Sequence, residues 1–148
     1  MIKELITKDT IRFIKKTDSW EEAIRLGAEP LIGIGSIGPG YIDDIIANVH
    51  KHGPYIVICP GFALSHARSE HVYALGISYL HLDEPVYILD RADRSAHVIL
   101  TLAACDNNSH LQALSELAEI LGNEELNARF LNCRTPESVL EIINEVLG

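Results

Sequence analysis

Residues 53–68 have the sequence GPYIVICPGFALSHAR, in which two short apolar runs lead to a histidine. A Gly-Pro pair indicates a turn at the start, and residues 55–59 form an apolar run of the kind found in buried strands. A Pro-Gly pair interrupts this run before a second extended piece, residues 62–65. The pattern therefore predicts that His66 lies at the end of a strand.

His66 carries a side chain whose protonation changes near neutral pH. A neutral imidazole offers a lone pair that can attack an electrophile, accept a proton or bind a metal. The neighbours Ser65 and Ala67 are small and leave room around the ring. A histidine with only a structural role is the alternative that this stretch by itself leaves open.

A second histidine follows the most apolar run of the chain. Residues 97–104 are typical of a central strand, and they lead through the polar segment 105–110 to His110. From there a leucine-rich pattern predicts an amphipathic helix over residues 111–121 that stops at Gly122. A helix N-terminus presents free N–H donors and suits an anion, so His110 is a candidate for anion binding. A polar residue of the first helical turn is the alternative.

The landmarks around His66 resemble a known family, the IIA components of the bacterial sugar phosphotransferase system of the mannitol and fructose superfamily. The similar features are Gly-Pro-Tyr at 53–55, Pro-Gly at 60–61 and Ala-x-x-His-x-Arg at 63–68. They are most similar to the ascorbate-type branch. Ser65 stands where the family usually has Pro, and Ala67 where it has Gly. The segment Asn108-Ser109-His110 resembles the Asn-x-His element of the mannitol-like proteins.

The resemblance implies a role for each of four residues. His66 would be the phosphorylated nucleophile, and His110 would donate a hydrogen bond to the phosphoryl oxygens. Arg68 and Asn108 would bind phosphate, although Arg68 could equally make a structural salt bridge. No cofactor, metal or nucleotide is implied, because the transferred group comes from another phosphohistidine.

The implied function is phosphoryl relay during sugar uptake. Phosphate would pass from HPr to His66 and then to the cysteine of a IIB component, with the membrane IIC component acting only indirectly. Ascorbate is the sugar that the branch implies, with galactitol, pentitols or another carbohydrate left open. One alternative is a regulatory module in which the phosphorylation state of His66 controls binding to a protein partner. Another is a metal-binding or hydrolytic domain that uses some of the seven histidines.

Composition restricts the partners and the compartment. The 148 residues carry a net charge of −9, which argues against nucleic acid or an anionic membrane as a partner. No apolar run is long enough to cross a bilayer. Three cysteines, Cys59, Cys105 and Cys133, lie far apart in apolar contexts and are expected to be buried free thiols. We expect a cytoplasmic protein, either a monomer or a homodimer.

Strand and helix patterns alternate along the chain, which indicates the α/β class and a single domain over residues 1–148. The resemblance implies a central mixed sheet of about five strands flanked by helices, whose order one sequence cannot reveal. The predicted strands are 10–16, 55–59, 62–65, 73–80 and 97–104, and the predicted helices are 20–31, 41–52, 111–121, 124–132 and 136–147. The segment 83–85, which ends in proline, is predicted to end any regular element.

Two other motifs are predicted to have structural roles only. Residues 33–38 match the dinucleotide-binding pattern G-x-G-x-x-G, but a helical pattern precedes them, so a connector between two helices is favoured over a nucleotide site. His50 and His52 form an H-x-H pair at a predicted helix end. Capping of the helix is favoured there over metal binding.

Overall fold

The computed structural model describes residues 1–148, and its centre is a five-stranded mixed sheet with the strand order β1-β4-β5-β3-β2. The strands are β1 (Ile11–Ile14), β2 (Val57–Cys59), β3 (Gly61–Ser65), β4 (Gly76–Tyr87) and β5 (Ser95–Ala103). β1 pairs with β4 and β3 pairs with β5 in parallel, while the β4–β5 and β2–β3 pairs are antiparallel. The predicted α/β class with a mixed five-stranded sheet is confirmed.

Helices cover both faces of this sheet. They are α1 (Ile2–Leu5), α2 (Trp20–Gly33), α3 (Pro39–His52), α4 (Asn107–Leu121), α5 (Glu124–Leu131) and α6 (Pro136–Leu147). A cluster of 19 buried residues lies between the sheet and α2 and α3, and a cluster of 18 lies between its other face and the remaining helices. Successive side chains of β3 point to opposite faces of the sheet, so Ala63 belongs to the first cluster and Phe62 and Leu64 belong to the second.

Three predicted helix starts, at residues 20, 124 and 136, are confirmed by capping bonds. Ser19, Asn123 and Thr135 each accept, through the side-chain oxygen, a hydrogen bond from the backbone N–H three residues later. By contrast, α3 begins two residues and α4 four residues before its predicted start, because Pro39 and the cap at Asp106 initiate them earlier. The glycine-rich segment 33–38 connects α2 to α3, as predicted, because α2 ends at Gly33 and α3 begins at Pro39. None of the helices is both long and apolar enough to span a bilayer.

The prediction that segment 83–85 ends the fourth strand is wrong. β4 starts at Gly76 and continues through Pro85 to Tyr87. The strand tolerates the proline because its register with β5 shifts between His81 and Val86, so no regular ladder bond is required there. On the other side, the pairing with β1 ends at Leu82.

The prediction that residues 55–59 form a buried strand is also wrong. Only Val57–Cys59 are extended, and they form the edge strand β2, which pairs with β3 alone. Ile58, at the middle of this edge strand, is 47% exposed. The apolar run therefore belongs to a short edge strand that pairs with β3 and not to a buried central strand.

The expectation of three buried thiols holds only for Cys133. Cys59 is half-buried on the edge strand, and Cys105 is exposed just beyond β5. All three cysteines are free. The apolar residues that precede Cys105 belong to β5, whereas Cys105 itself lies beyond the end of that strand. Apolar neighbours in the sequence therefore did not indicate burial of this thiol.

Candidate functional site

A cavity of about 550 Å³ opens where the parallel strands β3 and β5 end. His66 comes directly after the last residue of β3, and Ala104, Cys105 and Asp106 follow β5. Because parallel strands end at the same edge of a sheet, residues about 40 positions apart in sequence meet in one cavity. Helices α3 and α4 contribute the remaining walls, which include Tyr41 and His110.

The imidazole of His66 is half-buried, and one of its nitrogens is held by the backbone. Nδ1 lies 2.8 Å from the carbonyl oxygen of Leu64. Since a carbonyl can only accept, Nδ1 carries the proton and Nε2 carries the lone pair. Burial lowers the pKa of His66 below its usual value. The hydrogen bond to the Leu64 carbonyl raises this pKa, and the nearby His110 lowers it further, but burial is the largest effect. The ring is therefore neutral at pH 7, with Nε2 available as a nucleophile.

Two tyrosines hold the backbone around His66. The hydroxyl of Tyr55 donates to the carbonyl oxygen of His66 at 2.6 Å, and the two rings meet edge to face with centroids 5.3 Å apart. The hydroxyl of Tyr41 donates to the carbonyl oxygen of Leu102 at 2.5 Å and accepts the N–H of Ala67 at 3.2 Å. Burial raises the pKa of Tyr41 to about 12, so this hydroxyl stays protonated.

The sequence prediction missed both tyrosines as site residues. Residue 41 opens the predicted helix 41–52, and residue 55 opens the predicted buried strand 55–59. A signal was present at position 41, because a tyrosine on a core-facing helical position needs a partner for its hydroxyl. The identity of that partner, at the end of β5, depends on a contact 61 residues away along the chain.

Replacing Tyr41 by phenylalanine is expected to destabilise the protein and to loosen the backbone that follows His66. The substitution leaves the buried carbonyl of Leu102 without its donor, which costs about 1–3 kcal/mol. It also frees the N–H of Ala67, so the segment that follows His66 loses an anchor. Urea unfolding would measure the first effect, and hydrogen exchange of the Ala67 N–H would measure the second. Unchanged exchange at Ala67 would show that Tyr41 does not hold this segment.

His110 lies in the first turn of α4, opposite His66 across the cavity. The two ring centroids are 5.4 Å apart with an interplanar angle of 47°. Asp106 caps the helix, since its carboxylate accepts the N–H of Ser109 at 2.7 Å. The predicted convergence of a strand end, a polar cap and a helix N-terminus at His110 is present.

The two predicted phosphate-binding residues differ in their placement. The exposed Arg68 lines the cavity and takes part in none of the ion pairs of the structure, so the alternative of a structural salt bridge is not found. Asn108 is exposed on α4 and does not line the cavity, whereas its neighbour Asn107 does. The helix therefore directs the residue before Asn108 towards the cavity.

The loop that follows His66 is tied to α3. The hydroxyl of Ser69 donates to the carboxylate of Asp44 at 2.5 Å and accepts the N–H of His71 at 3.0 Å. Ala67 has no positive φ, so its backbone does not require the glycine that the family usually has at this position. These contacts give the loop that carries Arg68 a defined path beside the cavity.

The histidines outside this cavity show no arrangement typical of a metal centre. No group of three or more His, Cys, Asp and Glu side chains is placed to hold a metal ion. His50, one member of the H-x-H pair, packs its ring against Trp20 at 5.2 Å, and its Nε2 lies 3.9 Å from the carboxylate of Glu21. These contacts fix His50 on the protein surface at the end of α3.

Comparison with known proteins matches nearly the whole chain. The family model described as "Phosphoenolpyruvate-dependent sugar phosphotransferase system, EIIA 2" matches residues 4–146. The ascorbate-specific PTS system EIIA component of Escherichia coli K12 is 30% identical over 142 residues, which cover 95% of this chain and 92% of that protein. The resemblance seen in the sequence is confirmed by these matches.

Two solved structures share the fold. The solution structure of the mannitol-specific cryptic phosphotransferase enzyme IIA CmtB from E. coli is 29% identical, with a TM-score of 0.87 over 96% of this chain and 97% of that chain. The crystal structure of IIA mannitol from E. coli is 26% identical, with a TM-score of 0.76 over 93% and 97%. The sheet and helices described above are therefore those of IIA proteins.

Proposed function

Because this chain belongs to the EIIA 2 family of the phosphoenolpyruvate-dependent sugar phosphotransferase system, we propose that His66 is the residue through which it relays phosphate. EIIA components are phosphotransferase proteins that carry a phosphohistidine intermediate. The observation that supports His66 is its tautomer. The bond from Nδ1 to Leu64 leaves Nε2 as the unprotonated nitrogen beside a cavity that His110 also lines.

The proposed transfer needs no acid or base. The Nε2 lone pair of His66 forms a bond to phosphorus while the bond between phosphorus and the donor histidine of HPr breaks in line, and the donor nitrogen leaves with the electron pair. Catalysis is then mainly positioning and stabilisation of the charge on the equatorial oxygens. In this proposal His110 and Arg68 supply that stabilisation, and the N-terminus of α4, which carries His110, adds its favourable interaction with an anion.

The second half of the relay passes the group to the cysteine of a IIB component, and the membrane IIC component is served only indirectly. We propose ascorbate as the sugar, supported by the ascorbate-type landmarks around His66 and by the ascorbate-specific relative at 30% identity. The site of action in this proposal is the cytoplasm, where HPr and IIB components act. The mannitol IIA structures share the fold at a comparable sequence identity of 26–29%, so the landmarks around His66 and not overall identity favour ascorbate in this proposal.

One experiment tests both the relay and the sugar. The purified protein is incubated with enzyme I, HPr and phosphoenolpyruvate, and its intact mass is measured at alkaline pH, where phosphohistidine persists. The phosphorylated protein is then mixed with either an ascorbate-type or a mannitol-type IIB component. We expect one added phosphoryl group and faster loss to the ascorbate-type partner. No added mass would refute the relay, and equal transfer to both partners would refute the ascorbate assignment alone.

A further inference from the structure

A second cavity lies at the opposite end of the sheet from His66. It has a volume of about 380 Å³, within the range of small-molecule sites. His81 from β4, His97 from β5 and Arg134 from the α5–α6 connection line it, and Leu131 is its only large apolar side chain. Along β5, His97 and the relay cavity are separated by roughly 15 Å of strand. This cavity is therefore distinct from the relay site.

The strongest indication of a ligand comes from His81. Its side chain is buried, with 3% of the residue exposed, and neither ring nitrogen has a hydrogen-bond partner. Oδ1 of Asp83 lies 3.5 Å from Nε2, an ion-pair contact that is longer than a normal hydrogen bond. Buried polar groups in native proteins are nearly always paired. The buried imidazole of His81 therefore has hydrogen-bonding capacity that a ligand in this cavity could use.

The charges around the cavity favour an anion. Arg134 is 72% exposed, and its Nη1 lies 3.9 Å from Asp83, so the guanidinium retains free donors towards solvent. An adjoining cavity shares Asp83 and Arg134 and adds Lys15. Asp83 contacts His81 and Arg134 and shares the lining of the two cavities with His97 and Lys15, in a chain whose net charge is −9.

His97 can also supply a donor to the cavity. Nδ1 of His97 makes only a long contact of 3.4 Å to the carbonyl oxygen of Leu82, so its ring can turn its donor elsewhere. Burial lowers the pKa of His81, with Asp83 opposing this and Arg134 and His97 adding to it. A neutral His81 still donates through one nitrogen. A phosphate or carboxylate group could accept from His81, His97 and Arg134 together.

We propose that the cavity lined by His81, His97 and Arg134 binds the phosphate or carboxylate group of a small organic molecule. Arg134 pairs with the anion and releases Asp83 towards solvent, while the two imidazoles donate to its oxygens. This function is additional to phosphoryl relay and does not depend on it, because no residue of the relay cavity takes part.

Histidine-selective NMR of the intact protein tests the proposal. The ring signals of His81 and His97 are followed while inorganic phosphate, glycerol 3-phosphate or acetate is added, with the exposed His52 as an internal reference. We expect saturable shifts at His81 and His97 and none at His52. Saturation with glycerol 3-phosphate alone would identify a site for an organic phosphate. Saturation with inorganic phosphate as well would identify a site for free phosphate, and saturation with acetate would identify a carboxylate site. Absence of saturation with all three would overturn the proposal.

A matched pair of variants tests the residues. Arg134→Gln removes the exposed guanidinium and is expected to weaken binding roughly tenfold, the size of one charge-assisted hydrogen bond. Arg91→Gln is the control, because the only ion pair of the Arg91 side chain is with Asp93 at an exposed turn and Arg91 lies outside the cavity. Both variants are checked for a native NMR spectrum. Equal loss in the two variants, or none in Arg134→Gln, would overturn the assignment.

Discussion

Replacement of His66 by glutamine is expected to abolish phosphoryl uptake from phospho-HPr. The glutamine amide has a similar length and can still donate to the carbonyl oxygen of Leu64, so the local structure is retained. Its nitrogen has no lone pair available for attack, because amide resonance delocalises it. Intact mass at alkaline pH, after incubation with enzyme I, HPr and phosphoenolpyruvate, should show the unmodified protein only.

The matched control for this prediction is His52→Gln, which removes an exposed imidazole at the end of α3. That variant is expected to gain one phosphoryl group as the unaltered protein does. Uptake that persists without His66 would place the phosphate on a different residue, with His110 the first to be examined because it shares the cavity. Loss of phosphoryl uptake in both variants would indicate that the surface of this protein that binds HPr is altered, and not only the nucleophile.

The sequence predicted the two histidines because each follows a local pattern. An apolar run that ends at a small-residue turn places His66 at a strand end, and a polar cap before a leucine-rich period places His110 at a helix start. Both signals lie within about ten residues of the histidine that they position. Only the resemblance to IIA proteins then indicated that His66 and His110 share one site, because no local pattern relates residues so far apart in sequence.

The rest of the site depends on contacts that are distant in sequence. β3 and β5 become parallel neighbours only because β4 passes to the far side of β5, an order that hydrophobic periodicity does not encode. Tyr41 reaches Leu102 through that same arrangement. The error at Pro85 has a related cause, since proline excludes a regular ladder bond but not a strand whose register shifts beside it.

A Phe130→Ala variant is expected to lose about 3–5 kcal/mol of unfolding free energy, the usual cost of removing a buried aromatic ring. Phe130 is fully buried on α5, and its ring packs against Phe62 at 6.1 Å and Tyr79 at 5.2 Å between centroids. The carbonyl oxygen of Phe130 also accepts the Tyr79 hydroxyl at 2.6 Å. Alanine keeps that carbonyl but leaves a cavity between α5 and the sheet. Urea unfolding followed by circular dichroism measures the loss.

The appropriate control is Leu111→Ala, because Leu111 is 62% exposed and its truncation should change stability by no more than about 0.5 kcal/mol. Phe130 packs on the sheet face opposite α2 and α3, away from the tyrosines that hold His66. Below its unfolding transition the Phe130→Ala protein should therefore still gain one phosphoryl group. A loss as small as that of the control would mean that α5 closes over the vacated space. Loss of phosphorylation in a folded variant would mean that packing on this face also sets the position of His66.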